Sequence, residues 1–338
     1  MTARLIVTVD TEEEGLWENK YRATGNTTEN IRGIPRFQQL CKRFQLRPSY
    51  LVDAPVVQDD VASGILAEIA GVGDCEIGAH MHPWCNPPLG EQSGPNASFL
   101  SNLPEQVQRD KLTWLTDAIH DRFGQRPTSF RAGRYGLDIC GANILRSLGY
   151  RVDSSVIPFT DYSDQGGPDF LGAPCEPYYV GPDDLTSVGE PGGLIEVPLS
   201  VGFSRPDFSR AQALRQAAMK PALKSMRAVG LLDRLGIARR IKFSPEQSSS
   251  ERLRQLVDAC LARNAPVMVM MFHSTSLVPG YSPYVKSIEK LEAFYRRLEQ
   301  TFEYCLGQAG LAPATLGEFA ESFSERNQTS AVTPLTDS

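Results

Sequence analysis

The sequence predicts an α/β fold: a parallel (β/α) barrel of about seven strands with one helical insertion. Three observations lead there. Short β-branched or apolar runs recur along the chain, at residues 5–9, 48–52, 75–82, 129–131, 151–156, 194–201 and 267–272. Helical patterns fall between several of them, at 31–44, 103–123 and 141–148. Strand and helix alternating in this way build a parallel sheet with helices outside, and this many strands favour a closed or nearly closed barrel. The third is bulk: 338 residues with 41% hydrophobic and 22% charged side chains suit one large core.

Two stretches break the alternation. Residues 158–193 are rich in Gly, Pro, Asp and Tyr and read as a long loop. Residues 205–242 read as helical and basic, with ten Lys and Arg against two Asp, a net +8. The expected organisation is one barrel domain over 1–325, with the basic helical insertion at 205–245 and a flexible polar tail at 326–338. No internal repeat is present.

Net charge is −6 and the pI is near 5.4, which argues against a nucleic-acid partner. The apolar stretch at the N-terminus is short and runs into acidic residues, so it does not read as a signal peptide. Seven scattered cysteines with no C-x-x-C pair read as reduced thiols, and a cytoplasmic location is expected.

Four clusters carry candidate chemistry. In Asp10-Thr11-Glu12, the i, i+2 spacing of an extended chain turns both carboxylates to one side. One could bind a metal while the other takes a proton from water. The bland alternative is a solubilising acidic turn, since Glu13 and Glu14 follow.

His80-Met81-His82-Pro83-Trp84 repeats the argument with two imidazoles, and Pro83 favours extended geometry before it. Two imidazoles and a carboxylate are a common set of ligands for a catalytic divalent metal. The chain has only four histidines, so a pair at this spacing is a specific signal.

Arg131-Ala132-Gly133-Arg134-Tyr135 could pair an arginine with a carboxylate and bring backbone N–H groups to a developing oxyanion. His273 ends the apolar run Met270-Met271-Phe272 and could act as a general acid; a satisfied core histidine is the alternative. His120, in a charged helical context, reads as surface.

In order, these clusters resemble the motifs of the polysaccharide-deacetylase (NodB-homology) family of carbohydrate esterases. Thr8-Val9-Asp10-Thr11-Glu12 stands where the family has Thr-Phe-Asp-Asp-Gly. Glu76 to His82 is similar to its histidine motif, Arg131 to Tyr135 to its Arg-x-Pro-Tyr with one residue more, and Met271-Phe272-His273 to its Leu-x-His. The sequence departs from the pattern where Thr11 replaces the second acidic residue. It departs again where Trp84 occupies the second histidine's place, so that His82 must substitute from a different direction. The branch it looks closest to is that of deacetylase-like proteins encoded with bacterial surface-glycan genes.

The resemblance implies a distorted parallel barrel, a divalent metal with zinc expected, and a carbohydrate substrate. Its activity would be removal of an acetyl or formyl group from an amino sugar of a surface polysaccharide, as in lipopolysaccharide O-antigen synthesis, or of its precursor. It implies Glu12, His80 and His82 as ligands, with Asp10 as base, though the roles of Asp10 and Glu12 could be exchanged. Arg131 would hold Asp10 ionised, backbone N–H near Tyr135 would face the oxyanion, and His273 would protonate the amine. Asp153 is the candidate to orient His273, the family's Asp-x-x-Asp-Trp segment being unrecognisable. Trp84, Tyr281 and Tyr284 are candidate sugar-stacking surfaces. The rival expectation is an inactive barrel that binds carbohydrate or acts as a scaffold. The basic segment is expected to be a solvated face, or else to meet an acidic glycan or an anionic membrane surface. Oligomeric state is not legible.

Overall fold

The computed structural model describes residues 2–18, 21–90, 94–219, 230 and 238–332. Its frame is a curled, mainly parallel sheet. The strands are β1 (Arg4–Thr11), β2 (Ser49–Val52), β3 (Glu76–Met81), β4 (Ser129–Ala132), β5 (Val152–Asp153), β6 (Tyr178–Tyr179), β7 (Ile195–Glu196), β8 (Val201–Phe203), β9 (Arg240–Lys242), β10 (Val267–His273) and β11 (Ala312–Pro313). Among the described residues the order across the sheet is β10-β1-β2-β3-β4-β5-β7-β6, with β11 beside β1. β1 and β10 are buried along nearly their whole length, which is why both read as nearly unbroken apolar runs. They pair in parallel from Arg4–Val267 to Asp10–His273. The other edge of β1 is divided: β11 pairs with Arg4 and Leu5, and β2 with Thr8 to Thr11.

The two ends of the curl are joined by something other than a continuous ladder. β8 and β9 form a separate antiparallel hairpin. The chain around it bridges β5 to β10: Leu199 N donates to Val156 O, Val269 N to Ser200 Oγ, Phe243 N to Ser200 O and Met271 N to Phe243 O. The barrel is thus closed by a seam of single hydrogen bonds.

Helices cover the outside: α1 (Ile34–Arg43), α2 (Ala54–Gln58), α3 (Asp60–Gly71), α4 (Glu105–Phe123), α5 (Ile139–Ser147), α6 (Phe208–Met219), α7 (Ser250–Leu261), α8 (Ile288–Phe302) and α9 (Leu316–Val332). Their starts follow local chemistry. The carboxylate of Asp59 caps α3 by accepting from Val61 N and Ala62 N, and that of Asp53 caps α2 at Val56 N. Gly124 ends α4 at φ 75°, a left-handed position that suits glycine.

Three expectations about organisation need correcting. The stretch 158–193 is not only loop; it holds β6, whose antiparallel pairing with β7 ends the sheet. The basic insertion is helical over α6, but residues 240–242 form β9, because Ile241 must be buried between flanking cations and an extended chain does that. Its apolar residues Leu223, Met226, Leu231, Leu232 and Leu235 lie outside the described residues. The polar tail is helical through Val332, since Phe319, Ala320 and Phe323 dock the start of α9 on the barrel and the helix continues from there. No described helix is long and apolar enough to cross a membrane.

Candidate metal centre and catalytic cavity

Parallel strands end together, so residues at the C-terminal ends of β1, β3, β4 and β10 converge. A cavity of about 290 Å³ lies there, lined by Asp10, Glu12, His80, His82, Tyr135 and His273 among others. The i, i+2 expectation therefore holds on both clusters. Asp10 and Glu12 face the cavity while Thr11 turns its hydroxyl back to Val9 O, 3.0 Å away.

The two histidines are fixed by what their Nδ1 atoms meet. Nδ1 of His80 lies 3.0 Å from the backbone oxygen of Arg131, its register partner on β4, and a carbonyl can only accept. Nδ1 of His82 lies 2.7 Å from the carboxylate of Glu13. Both imidazoles thus carry their proton on Nδ1. Burial pushes His80 down to about 3 and His82 down to about 4, so both are neutral at pH 7. Their bare Nε2 atoms then face each other at 3.0 Å, each 3.4 Å from Glu12 Oε2.

Two lone pairs at that separation repel unless a cation lies between them. Glu12 Oε1 is buried with no hydrogen-bond partner among the described residues. Burial, and then the nearby Asp10, Glu13, Asp53 and Glu246, raise Glu12 far above the usual carboxylate range, a strain that a cation would relieve. The ligand atoms of Glu12, His80 and His82 all lie within 4.8 Å of one another. Two neutral imidazoles and a carboxylate fit a divalent metal with an open position.

Around this trio the fold supplies orienting groups. The Glu13 carboxylate, which holds His82, also accepts from Trp84 Nε1 at 2.8 Å, and its backbone N donates to Asp53 Oδ2 at 2.8 Å. Gly133 is obligatory here: a Cβ on it would stand 2.3 Å from His82 Cδ2 and 2.7 Å from Met81 O.

Asp10 is held differently. Arg131, fully buried, donates from Nη1 to Asp10 Oδ1 at 2.6 Å and to Thr8 Oγ1, and it is anchored by Ser154. Burial alone would raise Asp10, but the charge of Arg131, aided by His80 and His273, outweighs it and keeps the carboxylate below its ordinary range. The carboxylate form is therefore favoured at Asp10, by Arg131, and disfavoured at Glu12, by burial and the neighbouring acids.

On the far wall Nδ1 of His273 meets Glu246 at 2.9 Å, and the His273 backbone N donates to the same carboxylate at 3.1 Å. This corrects the assignment of Asp153, which instead accepts from Ser155 Oγ and pairs with Glu196 on β7, beneath the site. Trp17 packs edge-on against His273, 4.9 Å between centroids. Lys242 Nζ donates to Tyr135 Oη at 2.6 Å; burial draws this lysine down to about 8.

Of the aromatic candidates, Tyr284 lines the cavity, together with Trp17, Tyr21 and Tyr162. Trp84 does not. It stacks on His82, 4.3 Å between centroids, and is 8% exposed, so it buttresses the ligand and offers no face to a sugar. Tyr281 is not among the residues lining the cavity. His120 is exposed. Sequence reading missed Glu13, Asp53, Trp17, Lys242 and Glu246. Glu13 had a signal, its place beside the Asp-x-Glu pair, but adjacent acids read equally well as a solvated turn.

Fold and site together define a parallel barrel with a buried cluster of two histidines and a carboxylate at its mouth that could hold a metal ion. No protein-family model matches the chain, and no curated protein matches it in sequence. Solved structures do match in fold. A protein assigned as a polysaccharide deacetylase from Mycobacterium smegmatis superposes with a TM-score of 0.52 at 14% identity, over 100% of this chain and 95% of that one. Puue allantoinase gives 0.53 at 12%, over 98% and 92%. A 4-alpha-glucanotransferase from Thermococcus litoralis gives 0.51 at 13%, over 96% of this chain and 41% of that one. The fold is that of the polysaccharide-deacetylase barrel.

Proposed function

We propose that the protein is a metal-dependent hydrolase that removes an N-acyl group, acetyl or formyl, from an amino sugar. The observation that carries this is the pair of bare Nε2 atoms converging on the unpartnered Glu12 carboxylate, with an ionised Asp10 on the same strand. Glu12, His80 and His82 would hold the ion, and the donor set suits zinc. When bound, such an ion supplies a Lewis acid that activates water and polarises a carbonyl.

The chain's own residues do the rest. Asp10, kept ionised by Arg131, accepts the proton of the attacking water. The new C–O bond forms as the carbonyl π bond opens to an oxyanion, and the C–N bond breaks when that oxyanion collapses. His273, oriented by Glu246, gives its proton to the departing amine. Backbone N–H near Tyr135 faces the developing oxyanion. Tyr284 and Trp17 offer faces to the sugar ring.

The substrate we favour is a surface polysaccharide or its precursor, as in O-antigen synthesis. The seven free cysteines suit a reducing compartment, in keeping with a cytoplasmic enzyme. The test is metal analysis of the purified protein and a screen of acetylated and formylated amino sugars for released acid and free amine. One equivalent of metal and metal-dependent release support the reading. A metal-free protein that gains no activity on adding zinc or other divalent ions would overturn it.

A further inference from the structure

Beside the catalytic cavity lies a second one of about 200 Å³. The two share Tyr162, Lys242 and Gln247, so one ligand can occupy both. Their walls differ in charge. The first is mixed, with Asp10 and Glu12 against Arg134 and Lys242; the second carries Arg240, Lys242 and Arg252, with no acidic side chain among its described lining residues. Hydroxyls of Thr160 and Ser248 complete its polar wall.

Three cations converge here in a protein with a net charge of −6. The fold explains how. Ile241 of β9 is buried, so Arg240 and Lys242, two residues apart on an extended strand, share the opposite face. Arg240 reaches Phe159 O and Thr160 Oγ1, and Lys242 reaches Tyr135 Oη, which fixes both heads at the cavity wall. Arg252 enters from the first turn of α7.

We propose that this annex is a subsite for an anionic group, a carboxylate or a phosphate, that the substrate carries next to the sugar bearing the acylated nitrogen. The inference rests on the reading of the main cavity as the deacylation site and adds the charge of its substrate. Lys242, present in both cavities, is the hinge of the argument: it lies beside the reacting group and beside the anion.

The test compares the metal-loaded enzyme on a neutral N-acyl amino sugar, the same sugar as its 1-phosphate, and the same sugar joined to a uronate. At low salt the anionic forms should be favoured in kcat/KM by roughly tenfold or more, chiefly through KM, with the preference shrinking as salt rises. The more favoured of the two tells phosphate from carboxylate. Arg240→Gln with Arg252→Gln should abolish the preference, and Arg240→Lys with Arg252→Lys should retain it, which separates charge from folding. Equal kcat/KM for neutral and anionic forms, or a preference untouched in the glutamine variant, overturns the subsite. Should no substrate turn over, the proposed activity fails first, and calorimetry with inorganic phosphate and with glucuronate still decides the subsite. Binding that the glutamine variant loses supports it; no binding, or binding that survives, overturns it.

Discussion

Asp10 and His273 are register partners at the ends of adjacent parallel strands, and each is gripped by its own buried partner, Arg131 for one and Glu246 for the other. The two groups expected to move protons thus sit side by side in environments of opposite sign. That is how a base and an acid share one small cavity at one pH.

The first prediction separates the two carboxylates of β1. Asp10→Asn should keep metal near full occupancy and lower kcat by about 10²–10⁴. Glu12→Gln should empty the site, because a three-ligand set cannot spare one. Metal analysis alongside steady-state rates checks this, and an Asp10→Asn protein that arrives metal-free would exchange the two roles.

The second concerns His273. His273→Ala should cost roughly 10²–10⁴ in kcat with little change in KM. Glu246→Gln should cost less, and little further in kcat once His273 is gone, if its part in the chemistry runs through that ring; its bonds to the His273 backbone N and Ser276 Oγ are structural. A double-mutant cycle measures the coupling; additive losses would mean that Glu246 has a separate function.

The third follows from steric contact. Gly133→Ala places a methyl against His82 and Met81 O and must displace one of them. A stability loss of about 1–3 kcal/mol is expected, with weakened metal binding. Denaturant unfolding and metal titration read the two effects; unchanged values in both would mean that β4 shifts freely here.

The fourth tests the orienting group. Glu13→Gln should weaken metal affinity by about 10–100-fold while leaving all three proposed ligands in place, by loosening its hold on Nδ1 of His82. A competition titration with a chelator reports it, and an affinity equal to the parent's would reduce Glu13 to a packing role.

The fifth is a pH dependence. Burial draws Lys242 down to about 8, with Arg131 and Arg240 pulling the same way and Glu246 and Asp10 opposing. Its charge is present below that pH and lost above it. The ratio of kcat/KM for anionic to neutral substrate should therefore hold up to about pH 7 and fall through pH 8, well below the ordinary lysine value of about 10.4. Taking the ratio removes steps common to both substrates. A ratio constant to about pH 9.5 would exclude Lys242 from anion recognition.

What the sequence made legible was local. β1 and β10 are apolar runs with polar residues at their C-terminal ends, and i, i+2 spacing turned Asp10 with Glu12, and His80 with His82, to one side; His273 stood out only as the end of an apolar strand, with a core histidine as the alternative. What it hid was long-range. Glu246 and His273 are 27 residues apart and meet only because the Phe243–Met271 hydrogen bond lays one segment on the other. Lys242 stood in a run of basic residues that read as a helix, and β9 is too short, at three residues, to announce itself by alternation. Asp153 was the candidate to orient His273 by family resemblance, but its carboxylate is taken by Ser155 and Glu196 on the neighbouring segments, which spacing does not announce. Trp84 looked like a binding surface because aromatic type says nothing about which face is covered.

The seam that closes the barrel divides the molecule into parts with different tolerance to change. Glu12, His80, His82 and Arg131 stand on or just past β1, β3 and β4, which with β2 between them are locked by continuous ladders. Lys242 and Glu246 hang from a hairpin and a few single bonds. Substitutions around β8 and β9 and the turn carrying Glu246 can therefore reshape the cavity wall while the half holding Glu12, His80 and His82 keeps its geometry. If the proposed activity holds, new specificities would be expected to arise by rebuilding that wall, and a designer should begin there and leave β1 to β4 alone.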